Sequence, residues 1–131
     1  MAYTDNPTIL SSAQSIAHAT NTTAVDSEDH LNFGAADPDL GEGAEVRVTI
    51  TTTFVEATAG SHYFQLYDSS DDSTFKIIGR SKQLVAADLV DGAVFHIPLP
   101  AKVRRYLKST LIKGSTITTG VIDSDFVPAA A

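Results

Sequence analysis

The chain has 131 residues, which suits one domain, and no cysteine, which excludes disulfide scaffolds, thiolate zinc sites and cysteine nucleophiles. Its mean hydropathy of +0.02 describes a globular composition rather than a disordered or membrane-spanning one. The net charge of −7 is unevenly laid out. Asp5, Asp26, Glu28, Asp29, Asp37, Asp39, Glu42 and Glu45 stand in the first third without a single Lys or Arg, whereas Lys102, Arg104, Arg105, Lys108 and Lys113 crowd one short stretch.

Nucleic-acid binding needs a broad basic surface to neutralise phosphates, so nucleic acid is not an expected partner. No apolar run approaches the roughly 20 residues of a membrane helix, so no membrane partner is expected either. The first twenty residues lack the basic and continuously apolar regions of a secretory signal, and the expectation is a protein that stays in the cytoplasm where it is made.

In chain order, QSIAHAT (Gln14–Thr20), TTAVD (Thr22–Asp26) and HLNF (His30–Phe33) read as short strands divided by Asn, Asp and Gly. Asp37–Glu45 reads as a loop. The clearest strand is EVRVTITTTFVE, Glu45–Glu56, where Val46, Val48, Ile50, Thr52 and Phe54 share one face and Arg47, Thr49, Thr51 and Thr53 the other. One face belongs to a core and the other is a threonine carpet open to water or a partner. His62–Ser69 follows, with Phe64 and Leu66 opposed to Tyr63, Gln65 and Tyr67. After the polar loop DSSDDSTF come predicted strands at Phe75–Gly79, Arg80–Val85 and Ala93–Leu99, with a single helical turn at Ala87–Gly92. In Ala93–Leu99 the core face is Phe95, Ile97 and Leu99, while Val94 and His96 point away. Pro98 and Pro100 then stop the ladder, because proline has no N–H to donate. Arg104–Ile112 and Thr118–Phe126 complete a set of about eight or nine short antiparallel strands. Turn signals every 8–12 residues make this an all-β, single-domain sandwich over residues 1–131, with 1–19 read as an N-terminal arm and 127–131 as a frayed tail.

Catalytic and metal motifs are weak. His18, His30, His62 and His96 show no metal-pair spacing, and His62 and His96 read as half-buried polar tips of strands. The loop Asp68–Ser73 clusters three carboxylates but fails the EF-hand pattern at most positions, and reads as a hairpin loop whose Asp and Ser cap their own backbone. GxSxG, GxxxxGK[ST] and GxGxxG are absent. No enzyme activity and no cofactor are expected. Tyr63 and Tyr67, four residues apart on one strand face, lie roughly 13 Å from one another, a spacing that suits a protein interface or a sugar platform.

The stretch Ala87–Pro100 followed by Arg104–Val127 resembles the jelly-roll cement, or decoration, proteins of tailed bacteriophages. The residues that carry the resemblance are Ala87–Leu89, Gly92–Phe95, Pro98–Pro100, Arg105–Leu107 and Thr118–Val121. QLYDSSDDSTF (Gln65–Phe75) is similar to that family's Q-x-x-S-D-D hairpin, and TTAVDSEDHLNFG to its N-terminal strand and loop. Ser109 and Thr110 depart from it, standing where larger residues are usual. The resemblance implies a jelly-roll subunit on the outer face of an icosahedral head, assembled in the host cytoplasm and bridging neighbouring major capsid proteins. It also implies self-association, as a homodimer or homotrimer. The charge asymmetry nominates Asp37, Asp39 and Glu42 for contact with a basic shell surface. Tyr63, Tyr67, Thr49, Thr51 and Thr53 are the candidates for self-association. The rival expectation is a sugar- or receptor-binding sandwich of a virion, which predicts a groove with polar side chains beside the two tyrosines.

Overall fold

The computed structural model describes residues 9–16, 24–34 and 39–128. Nine strands occupy them: β1 (Ile9–Ser15), β2 (Ala24–Asp26), β3 (Leu31–Asn32), β4 (Glu45–Glu56), β5 (His62–Ser69), β6 (Lys76–Arg80), β7 (Val94–Pro98), β8 (Tyr106–Lys113) and β9 (Ile117–Val127). The pairing is nested. β1 pairs with β9, β2 with β8, β4 with β7 and β5 with β6, all antiparallel, as in one long hairpin. Rolled up, that hairpin gives sheet A in the order β1-β9-β4-β7 and sheet B in the order β2-β8-β5-β6, with β3 also on β8. This is the jelly roll that closes a double sheet with few edges.

The period-2 pattern decides which residues face inward. Val46, Val48, Ile50 and Phe54 of β4, Ile97 of β7 and Ile122 of β9 are buried. They share one core with Phe64 and Leu66 of β5 and Leu107 and Leu111 of β8. Leu84 and Leu89, from the β6–β7 connection, join it fully buried. Each such side chain contributes about 1.5–3 kcal/mol on burial. The expected helical turn is a 3-10 turn at Ala86–Asp88, closed when the Val85 N–H donates to Asp88 Oδ2 at 3.0 Å. Gly92 follows with φ of +91°, as the Asp91–Gly92 turn requires.

Three expectations need correction. Arg80–Val85 is not a strand beyond the Arg80 that ends β6; only Leu84 makes a bridge, to His62. There Ser81 takes over the Phe64 backbone, accepting its N–H on Oγ at 3.0 Å and donating its own N–H to its carbonyl at 2.8 Å, while Lys82 and Gln83 are exposed. Among the described residues the first strand is Ile9–Ser15, inside the segment read as an arm, and it overlaps the expected Gln14–Thr20 only at Gln14 and Ser15. Its register against β9 shifts twice and Ala13 has φ of +49°, a bulge that erases the alternation a reader would look for. Residues 17–20 lie outside the described residues. At the other end Val127, read as the start of the tail, still pairs with Glu45.

β7 is an edge of sheet A, and its prolines sit in phase with that position. Leu99 donates its N–H inward to Ala44 O at 2.9 Å. In an antiparallel edge strand alternate residues point their N–H outward, so Pro98 and Pro100 fall where an outward donor would stand. They remove it, which blunts the edge against further pairing.

Candidate interaction surfaces

The jelly roll separates the residues nominated for self-association. Thr49, Thr51 and Thr53 lie on the outer face of sheet A through β4, whereas Tyr63 and Tyr67 lie on the outer face of sheet B through β5. The two groups are on opposite sides of the sandwich, and one flat contact cannot contain both.

Cross-strand pairing builds the outer face of sheet B. Tyr63 stands opposite Ile112, Gln65 opposite Thr110, Tyr67 opposite Lys108 and Ser69 opposite Tyr106. On the β6 side Tyr67 meets Ile77, which is 53% exposed. Each tyrosine has a cation at its ring: Arg80 is 5.5 Å from the Tyr63 centroid, Lys108 5.2 Å from Tyr67, and Arg105 5.4 Å from Tyr106. Lys108 also lies 4.4 Å from the Phe75 centroid. Beneath this layer Gln65 and Thr110 are buried, Gln65 accepting from the Tyr67 hydroxyl at 3.2 Å and Thr110 donating to Asp26 at 2.8 Å. Burial, with a smaller contribution from the Asp26 charge, raises the Tyr67 hydroxyl above its ordinary pKa. The surface is a pre-ordered sheet of rings and cations.

The outer face of sheet A has the opposite sign. Glu45, Asp123 and Asp125 gather around Arg47, which forks onto Asp125 at 2.7 and 3.2 Å. That bidentate bond, more than charge alone, raises the guanidinium pKa further. His96 bonds Glu45, and Asp123 accepts the N–H of Ala13 at the β1 bulge. A cavity of about 560 Å³ opens here, lined by Ile9, Thr49 and Val94 with Arg47, Asp123 and Asp125. The groove expected beside Tyr63 and Tyr67 for a sugar-binding platform therefore has no counterpart in this cavity, which is on the other sheet.

Asp39 and Glu42 are exposed on the loop entering β4. Asp39 bridges Lys102 through the backbone and accepts the Gly41 N–H on its side chain at 3.0 Å. Asp37 lies outside the described residues. In the loop after β5 the three carboxylates diverge. Asp68 is clamped by Arg104 through four bonds of 2.7–3.0 Å, one from its backbone N–H and three from its guanidinium. Asp71 caps its own loop, accepting from the Thr74 and Ser73 N–H groups and the Ser69 hydroxyl, which lowers its pKa to about 2. Asp72 pairs with His30 at 2.7 Å. That is the self-capped hairpin the sequence predicts, with Arg104 and His30 added by the fold.

His62 departs from its expected half-burial, being 0% exposed. Its Nδ1 accepts the Gly114 N–H at 3.1 Å, so the proton sits on Nε2, which donates to Glu56 at 2.6 Å. Glu56 also accepts from the Gly60 N–H and the Ser115 hydroxyl. The carboxylate joins serine and histidine, and the cluster ties the β4–β5 loop to the β8–β9 turn. Sequence reasoning missed both this cluster and the Arg104 clamp; the only signal for either was an acid and a base at strand ends.

The Bbp16 family model matches residues 10–126, from the second residue of β1 to the next-to-last of β9. The chain belongs to the Bbp16 family. Bbp16 is a family of phage proteins. The matched span takes in both sheets and both outer faces, so the whole sandwich is the family's unit rather than one hairpin of it. No curated protein matches the chain.

Proposed function

We propose that this protein is a structural component of a tailed-phage head, decorating the outer capsid surface and bridging neighbouring major capsid proteins. The observation that carries the reading is the match of a phage family to the entire jelly roll, residues 10–126. The physical features fit such a task. A nested double sheet with one continuous core resists deformation, and its blunted β7 edge limits uncontrolled strand addition. Two broad outer faces of opposite charge offer separate contacts to a shell and to a second copy. No catalysis and no cofactor enter this reading.

The test is to mix the purified protein with phage heads lacking their decoration and follow sedimentation and mass. Saturable co-sedimentation, with heads that burst at a higher temperature, is the expected result. A folded protein that fails to bind heads overturns the reading and directs attention to glycans, where Tyr63 and Tyr67 would be the first residues to probe.

A further inference from the structure

The chain holds 16 acidic residues against nine basic ones, and its four arginines divide by whether a carboxylate pairs with them. Arg47, Arg104 and Lys108 have theirs in Asp125, Asp68 and Asp26. Among the described residues no carboxylate pairs with Arg80 or Arg105. Arg80 lies against the Tyr63 ring, and Arg105 lies against Tyr106 with its Nε donating to Asn32 at 3.0 Å. Both are on or beside the outer face of sheet B.

Resting on the capsid reading, we propose that the outer face of sheet B docks a carboxylate-rich protein surface, with Arg80 and Arg105 as its anchors. A guanidinium stacked on a ring keeps N–H groups free for a bidentate carboxylate, and Arg105, whose Nε–H is given to Asn32, offers its Nη pair. Stacking also holds the side chain in place before the partner arrives, which reduces the ordering cost of binding. From the pairing of Arg80 with Gln65 and of Tyr106 with Ser69, Arg80 and Arg105 are about 19 Å apart at the backbone, a span that fits within one standard interface patch. Between them stand Tyr67 and the exposed Ile77, and Tyr63 flanks Arg80 on its far side, so the face carries the Tyr and Arg residues in which binding hot spots are enriched. The outer face of sheet A, with Glu45, Asp123 and Asp125 around Arg47, has the wrong sign for the same partner. The charge complementarity is therefore specific to one side of the sandwich.

Two measurements test it. In the first, a glutamate-rich peptide is titrated into the isotopically labelled protein, with the arginine Nε–H signals and the amides of β6 and β8 followed by NMR. Shifts confined to Arg80, Arg105 and the sheet B face, abolished by about 0.5 M salt, are expected. No shifts there, or larger ones with an oligothymidylate at equal charge, overturn the proposal; the second would make the face a nucleic-acid platform. In the second, the R80E/R105E variant, its β-sheet spectrum unchanged, is compared with wild type on decoration-free heads. Affinity falling about tenfold or more supports the proposal. Equal binding of both proteins overturns it while leaving the capsid reading intact. A wild type that ignores heads but shows the peptide shifts sinks the capsid reading and keeps the docking face. A change in the variant's mass in free solution would assign the face to self-association and overturn the proposal.

Discussion

Asp71 shows how much a single loop carboxylate can be asked to do. Its side chain accepts two backbone N–H groups and one hydroxyl, and its pKa falls from 3.8 to about 2. A carboxylate depressed in the folded state contributes stability that is present above its unfolded pKa and lost as the pH falls through its folded pKa. The urea midpoint of the wild type should therefore decline between pH 4 and pH 2 more steeply than that of D71N, and comparing the two curves isolates this residue from the other acids. Asp68 makes a different case because its side chain is only 8% exposed. Truncating Arg104 to Ala strands that carboxylate with one backbone donor, at a cost of about 3 kcal/mol, while D68N costs about 2 because the Arg104 side chain reaches water. A double-mutant cycle in urea should show coupling between them; additive losses would mean the clamp is ornamental. The capping role of Asp71 was legible because its partners lie within three residues. Arg104 and Asp68 are 36 positions apart, and only the nested pairing of β5 and β8 brings them together.

At the scale of the element, alternation governs both what works and what misleads. Glu45–Glu56 and His62–Ser69 are strands at the residues their period predicts, since each has one apolar face; β5 keeps an unbroken register with β8, and β4 shifts against β9 only after Ile50. β1 defeats the same rule because ILSSAQS carries a bulge, and Arg80–Val85 defeats it because a serine side chain ends the ladder that its apolar ends suggest. The β7 edge invites a direct test. P98T/P100T restores two outward N–H groups, and since neither position packs in the core ladder's donor row, stability should change by about 1 kcal/mol or less. Light scattering on concentrated samples should nevertheless rise, because the edge has become a template. The opposite holds at the β8–β9 turn. A Cβ added to Gly114 would sit 2.2 Å from the Ser61 carbonyl, so G114A must push apart the loops that His62 and Glu56 hold together. The expected loss is about 3 kcal/mol, read from the urea midpoint.

The whole molecule is a closed circuit in which the last strand is structurally central. β9 stands between β1 and β4 in sheet A, so the final segment of the chain completes the first sheet. Folding must therefore bring together strands from opposite ends of the sequence, and a single slow phase in the range of milliseconds to seconds is expected. The two ends are not equivalent. Ending the chain at Lys113 removes β9, leaves β4 without its principal partner, and withdraws Ile117 and Ile122 from the core. That protein should have no cooperative urea transition. Starting the chain at Ala24 instead removes, among the described residues, an edge strand and the Ile16 that follows it, with the fully buried Leu10 and Ile16 as their main apolar contribution. Two such side chains are worth about 3–6 kcal/mol together, against a total stability of about 5–15 for a domain. The shortened protein should remain folded near its temperature of maximum stability and unfold at much lower urea than the full chain. If both truncations lost the transition equally, β1 would be as essential as β9, and the core would depend on closing the roll rather than on the β9–β4 pair.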